Sequence, residues 1–357
     1  MKKVRATLLV SSLCLSYIAA AGTPVGLVLS GGGAKGAYEV GVWKALTEIG
    51  IARDVKVISG TSVGGLNAAL FASVGDPAIV ESFWIDSMGK IVTEVNRDKA
   101  HDALQAGMDE ASRLLREQDE FRKRLLDEAL TQWKCSEESE LLPSVQKDIE
   151  ERTQEYFRKA GIDSFVKAAT NKVNGVMNSP ETSKGWIDPS SLRNVLEEKL
   201  PRDWKSIGTT VYATALEKDT WSKCVFTLNR EEPFARKVDI LRATCAIPEV
   251  FDNVELDGHV YVDGGWTEKG GENVPISPIV ERHPDIRTIY VVYLNNTKLL
   301  GNERIDASKY LGKKIIEIIP SQNLYGWFGA LDFDVERGRK LMDLGYEDAM
   351  KSIPRIP

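Results

Sequence analysis

Twice within its first 75 residues the chain repeats one pattern: a short apolar run ends in glycine and restarts as a helix. The first run is Pro24-Val25-Gly26-Leu27-Val28-Leu29-Ser30, followed by Gly31-Gly32-Gly33; the second is Val55-Lys56-Val57-Ile58-Ser59, followed by Gly60. Val40, Val42, Trp43, Leu46 and Ile49 then recur at helical steps through 35–50, and 62–74 is a helix-like run rich in small residues. Strand–helix–strand–helix at this spacing makes a parallel sheet covered by helices. In such a sheet both glycine turns emerge at the same carboxyl edge and can face one pocket.

Further along, the character changes. From about 97 to 182 charges are dense and glycines rare. Leu104, Met108, Ala111 and Leu115, then Leu125, Leu126, Ala129, Leu130 and Trp133, mark amphipathic helix, and a second helical stretch follows Pro143. This is an inserted helical subdomain, either a solvated cover or a lid or partner-binding arm. Strand patterns resume at 208–216 and 223–228. A hairpin is expected where 251–256 and 260–263 flank Asp257-Gly258. Residues 286–294 read as a further buried strand, and helices over about 306–319 and 334–351 close the chain. The expected fold is α/β: a three-layer sandwich with a mostly parallel central sheet covered by helices, plus the insertion.

Composition limits the partners. The 357 residues are 43% hydrophobic and 27% charged, enough to fill a core, and the formal net charge of −6 argues against a general nucleic-acid binder. The basic start Met1-Lys2-Lys3-Val4-Arg5, the uncharged run 6–21 and its end in Ala19-Ala20-Ala21 form the pattern of a secretory signal cleaved after Ala21. Removing Lys2, Lys3 and Arg5 takes −6 to −9. The expected mature chain, 22–357, is exported to the periplasm or beyond and is soluble or peripheral at a membrane. Cys135, Cys224 and Cys245 would then remain, too few for a disulfide framework and without metal-ligand spacing.

The glycine triplet alone is ambiguous. Lys35 stands between Ala34 and Gly36, which breaks the Walker pattern. Gly31, Gly33 and Gly36 fit G-x-G-x-x-G, but the second strand ends in Ser59-Gly60 rather than in the acidic residue a dinucleotide site needs. The second turn is more specific. Gly60-Thr61-Ser62-Val63-Gly64 is G-x-S-x-G between a strand and a helix, the setting of an exposed nucleophile. Ser62 is therefore either a nucleophile or a plain helix N-cap. If it attacks an acyl carbon, the N–H groups of Gly32 and Gly33 can meet the oxyanion. Lys35 is either an added positive charge or a solvated first-turn lysine.

A serine nucleophile needs a base. His101 lies in the charged insertion and His283 reads as a solvated loop residue. His259 lies just past the Asp257-Gly258 turn, four residues before Asp263. That order is wrong for a Ser-His-Asp hydrolase, whose histidine follows its acid. Asp263 ends a strand and is followed by Gly264-Gly265, so it is either a base set directly against the serine or a turn former.

Together these motifs resemble the patatin-like phospholipase family of serine lipid acyl hydrolases. Gly31-Gly32-Gly33-Ala34-Lys35-Gly36 is similar to its oxyanion loop, Gly60-Thr61-Ser62-Val63-Gly64 to its elbow, and Asp263-Gly264-Gly265 to its aspartate motif. Ala243-Thr244-Cys245-Ala246-Ile247-Pro248 with Phe251, and Asn273-Val274-Pro275, are similar to the segments around that aspartate. The resemblance spans about 24–96 and 184–350 and leaves the helical insertion outside. It implies a Ser62–Asp263 dyad that cleaves fatty acyl esters of phospholipids or related lipids, without metal or other cofactor. Expected partners are membrane lipid and a protein activator or partner bound through the insertion, with no nucleic acid. Two alternatives remain open at this point: a serine esterase of small soluble esters using His259, and a non-catalytic lipid- or protein-binding module acting through the insertion. Trp327-Phe328, flanked by Gly326 and Gly329, either dips into a lipid interface or packs in the core.

Overall fold

A computed structural model describes residues 22–91, 116–117, 119–160, 189–204, 208–228, 231–247, 251, 253–296, 303–324, 329–330 and 332–353. The expected export segment 1–21, His101, the 104–115 stripe, and Trp327 with Phe328 lie outside the described residues. The chain divides into two compact units, Met1–Val92 with Ile187–Pro357, and Thr93–Trp186.

In the larger unit the elements run β1 (Val25–Leu29), α1 (Ala37–Glu48), β2 (Val55–Thr61), α2 (Val63–Ser73) and α3 (Pro77–Ile91). The smaller unit contains helix α4 (119–133) and helix α5 (Pro143–Ala160). The larger unit resumes with α6 (Pro189–Lys199), β3 (Thr210–Glu217), β4 (Lys223–Thr227), α7 (Phe234–Thr244), β5 (Val254–Leu256) and β6 (His259–Asp263). It ends with α8 (Ser277–Arg282), β7 (Thr288–Val292), β8 (Lys314–Ile318) and α9 (Val335–Ser352). The strands form one eight-stranded mixed sheet in the order β5-β6-β3-β2-β1-β7-β8, with β4 on β3. Strands β3-β2-β1-β7-β8 are parallel, and the antiparallel strands β4, β5 and β6 gather at one side.

The strand sequences explain their place. All five residues of β1 are buried, as a central parallel strand requires. Leu27 and Leu29 join a core with α1, α2 and α9 on one face of the sheet; Val28 joins Val57, Val291 and Ile279 on the other. Helix α2 is buried from Val63 through Phe71, which is why its sequence lacks a polar face. The expected hairpin is present between β5 and β6, with Asp257 and Gly258 both at positive φ, 55° and 80°. One expectation fails. Residues 306–319 are not a helix but a short turn, Ala307–Lys309, and the edge strand β8. Ile316 and Ile318 alternate inward beside β7, so period-2 burial of β-branched residues prevails over the helical reading.

Register on β3 builds the centre of the molecule. Strand β4 pairs with Tyr212–Leu216 along one edge. The other edge is shared: β2 occupies it in parallel from Thr210 to Thr214, and β6 in antiparallel from Ala215 to Glu217. Thr61 lies opposite Thr214 and Asp263 opposite Ala215, so the carboxyl ends of β2 and β6 meet head to head. The residue after Thr61 is Ser62.

In the smaller unit, Leu125, Leu141 and Ile149 form a small core with Phe121, Leu126, Ala129, Leu130 and Val145. Arg122 pairs with Glu138, and the Gln146 amide donates to the Glu138 and Leu141 carbonyls at 2.7 and 3.1 Å. Trp133 of the expected apolar stripe is instead half exposed.

The elbow between β2 and α2 has no room for side chains. A Cβ on Gly60 would stand 2.1 Å from the Gly64 carbonyl oxygen, and one on Gly64 would stand 2.3 Å from that of Leu29. Gly64→Ala is expected to cost about 3 kcal/mol or more by forcing backbone apart. Gly258→Ala, where nothing lies within 4 Å, should cost only the left-handed strain, about 1 kcal/mol. Urea titrations of both variants check the difference, and equal losses would remove the close-approach argument.

Candidate active site

Ser62 occupies the turn between β2 and α2 at φ 55° and ψ −128°, a conformation that costs a non-glycine residue about 1–3 kcal/mol. Its side chain makes no N-cap hydrogen bond, so the plain capping reading loses its support. Its N–H donates to Thr244 Oγ1 at 2.8 Å, and the Thr244 hydroxyl donates to the Thr214 carbonyl at 2.5 Å. Thr244 thus ties the residue that follows β2 to the β3 backbone at the junction between β2 and β6.

Asp263 ends β6, with its N–H on the Ala246 carbonyl at 2.9 Å. Oδ1 accepts the Gly265 N–H at 2.7 Å, a turn bond; Oδ2 is buried and accepts no hydrogen bond among the described residues. Burial pushes the carboxyl up to about 6, with the Ser62 hydroxyl and the Gly265 N–H holding it back. Gly264 passes close to β3, where a Cβ would meet the Thr214 carbonyl at 2.3 Å.

The loop after β1 closes over the serine. A Cβ on Gly31 would lie 3.3 Å from Ser62 Cβ, and one on Gly33, at φ 57°, would lie 2.1 Å from the Ala330 carbonyl. Not every N–H of the loop is free. Gly31 N–H donates to the Asn273 carbonyl at 3.0 Å, whereas those of Gly32 and Gly33 have no acceptor among the described residues. Lys35 is not solvated. It is 3% exposed, and its Nζ donates to Asn295 Oδ1 at 3.0 Å. Asn295 in turn donates to Glu303 at 3.0 Å. Burial pulls the Lys35 ammonium down to about 8; Glu303 opposes that shift and Arg337 adds to it.

Gly33, Ser62, Val63, Leu66, Trp84, Leu192, Cys245 and Phe333 line an apolar cleft with about 510 Å³ of unfilled space that opens to solvent. Burial and the nearby Asp263 charge hold the Cys245 thiol well above its usual range, so it stays protonated there. Cys135, Cys224 and Cys245 are all unbridged.

The two described histidines stand apart. His259 opens β6 and Asp263 closes it, about 13 Å along extended chain. The His259 side chain is 57% exposed, with Nδ1 on Glu217 at 2.6 Å. His283 is not simply solvated: its Nε2 meets the Tyr212 hydroxyl at 3.0 Å. Among the described residues no three His, Cys, Asp or Glu side chains converge to hold a metal, and no helix is long and apolar enough to cross a membrane.

The sequence pattern left out Thr244 as a tie, Asn273 as the clamp on Gly31, and a buried set formed by Glu39, Asn67 and Trp84 beneath Gly36. Residue type gave a partial signal: a glutamate and an asparagine among apolar positions of α1 and α2, both completely buried.

Residues 27–278, more than half of the chain, match the family model for patatin-like phospholipase. A patatin-like phospholipase domain-containing protein of Caenorhabditis elegans is 36% identical over 118 residues, 32% of this chain and 8% of that protein. Lysophospholipase nte1 of Aspergillus terreus is 56% identical over 55 residues, 15% of this chain and 4% of that protein. The chain thus spans a small fraction of the length of these curated relatives. Among solved structures, VipD from Legionella pneumophila is similar with a TM-score of 0.43 at 14% identity, covering 92% of this chain and 66% of that one.

The raised Asp263 value carries a stability consequence. Unfolded, the carboxyl ionises near 3.8; folded, near 6. The stability contributed by its neutral form is whole below the first value and is lost as pH rises through the second. The gap is worth up to about 3 kcal/mol. Asp263→Asn, always neutral, should match the wild type near pH 4 and exceed it by that amount above pH 7 in urea titrations. A difference that does not change with pH would contradict the assignment.

Proposed function

Because the chain belongs to the patatin-like phospholipase family, we propose that it hydrolyses fatty acyl esters of phospholipids or related lipids through Ser62 and Asp263. The observation that carries this reading is the meeting of a strained serine and a buried aspartate with an unclaimed oxygen, at the wall of an apolar cleft. Above about pH 6 Asp263 is ionised and accepts the Ser62 proton as Oγ attacks the acyl carbon. The oxyanion is received by the free N–H groups of Gly32 and Gly33. Gly31 and Gly36 shape that loop, and Lys35 adds positive charge behind it. Asp263 returns the proton to the departing alcohol. A water molecule, deprotonated by the same carboxylate, then attacks the acyl carbon; the bond to Ser62 Oγ breaks, Asp263 gives the proton back to Oγ, and the fatty acid leaves. The acyl chain lies in the cleft.

The same reading takes 1–21 as an export segment, so that the mature chain starts at Gly22 and meets lipid in the periplasm or outside the cell. Its support is the basic, apolar, small-residue order of that segment.

Fatty-acid release from mixed phospholipid vesicles, single-chain lysophospholipids and soluble esters tests the proposal. Ser62→Ala and Asp263→Asn should each lower release at least about a thousandfold, while His259→Ala stays within about threefold of wild type. Wild-type kcat/KM should fall about tenfold per pH unit below 6, because the base must be ionised. Full activity of Asp263→Asn, or no release by folded wild type from any of these substrates, would overturn the reading.

A further inference from the structure

We infer that Trp84 is a specificity-determining residue of the acyl ester hydrolysis proposed above, on which this inference rests: it forms a wall of the cleft and carries the packing of the acyl chain to the glycine loop. The indole is 4% exposed and shares the cleft lining with Ser62 and Gly33. It holds Gly36, the last glycine of the loop, in two ways. A Cβ on Gly36 would lie 2.4 Å from Val63 Cγ2 and 3.0 Å from Trp84 Cη2 and Cζ2, so the ring edge rests on that glycine beside Val63. The Trp84 Nε1–H donates to Asn67 Oδ1 at 2.8 Å, and Asn67 Nδ2 donates to the Gly36 carbonyl at 3.0 Å.

Asn67 also donates to Glu39 Oε2 at 2.7 Å. Glu39 and Asn67 are both fully buried. Burial holds the Glu39 carboxyl well above the usual range, against its hydrogen bond from Asn67, and favours its neutral form. The set is neutral and closed to water. It joins α2, which starts beside Ser62, to α1, α3 and the glycine loop. With Asn67 and Val63, the Trp84 ring is therefore one of the groups that hold Gly36 relative to Ser62.

An acyl chain long enough to reach the indole presses on a residue that also sets the oxyanion loop. Contact with a wall that served only to bind would act equally on bound substrate and transition state and would appear in KM. Contact that orders oxyanion donors appears in kcat. Leu192, on α6, supplies the comparison: it lines the same cleft but has no polar group to link it to the loop.

The test is steady-state hydrolysis of p-nitrophenyl esters from acetyl to dodecanoyl by wild type, Trp84→Phe and Leu192→Ala. Wild-type kcat should rise with chain length until the cleft is filled. Trp84→Phe keeps an aromatic wall and removes the N–H; its octanoyl-to-acetyl kcat ratio should fall at least about fivefold. Leu192→Ala should raise KM for long chains and leave that ratio within about twofold. Should Trp84→Phe fail to fold, Trp84→Met fills similar volume without the donor and gives the same expectation. Wild-type hydrolysis whose kcat ignores chain length, or an equal fall of the ratio in the Trp84 and Leu192 variants, would overturn this inference alone. A wild type inert on every ester and on vesicles would overturn the hydrolase reading together with it.

Discussion

The edge of β3 carries two strands end to end, and the rest of the site depends on how that joint is closed. Two strand ends that meet head to head leave backbone groups without ladder partners, and buried groups of that kind cost about 1–3 kcal/mol each when unpaired. Thr244 closes the joint with one hydroxyl, accepting from Ser62 N–H and donating to the Thr214 carbonyl. Thr61 Oγ1 adds a second tie, to the Glu272 carbonyl at 2.6 Å, and Glu272 N–H bonds back to Gly264 at 3.0 Å. These bonds are what allow Ser62 to remain at a positive φ. The strain is local and its support is spread across α7, β3 and the loop after β6.

The same closure sets the electrostatics. Asp263 is 6% exposed because β6 ends inside the sheet rather than at its rim. Water excluded from the joint is also excluded from the carboxylate, and that exclusion lifts its protonation toward neutrality without a second acid nearby. A carboxylate held this way suits proton abstraction from a hydroxyl better than a solvated one, since the proton is returned to a group of closer basicity. The stability given up at neutral pH and the reactivity proposed for this carboxylate come from one feature, the burial of a strand end.

Much of this was legible from local pattern. The strand β1 with its glycines, the G-x-S-x-G elbow and the Asp257-Gly258 hairpin are each fixed by neighbours within a few residues, and the alternation of apolar and glycine positions reports them directly. The helix expected over 306–319 was misread because Ile315, Ile316, Ile318 and Ile319 fit either period, and only pairing with β7 selects the strand. Thr244, Asn273 and the Lys35–Asn295–Glu303 chain were not legible as contacts. Their bonds close loops of 182 residues for Ser62 to Thr244 and 260 for Lys35 to Asn295, and no local periodicity encodes which polar side chain will arrive there. Lys35 shows the difference most clearly. A lysine in a first helical turn is ordinarily solvated, and it is buried here because β7 delivers Asn295 to it.

A loop made of glycine has no side chains with which to hold itself. Its rigidity has to be borrowed, and the lenders lie on three sides. The Asn273 carbonyl takes the Gly31 N–H, whereas those of Gly32 and Gly33 have no acceptor among the described residues. Lys35 anchors the middle of the loop to Asn295. Asn67 and Trp84 hold its far end at Gly36. Trp84 also faces the cleft, as does Val63, which lies against Gly36 beside it. The first two are contacts within the fold. The third is shared with the wall of the cleft, so under the mechanism proposed above the packing of the acyl chain and the placing of the oxyanion donors draw on the same side chains.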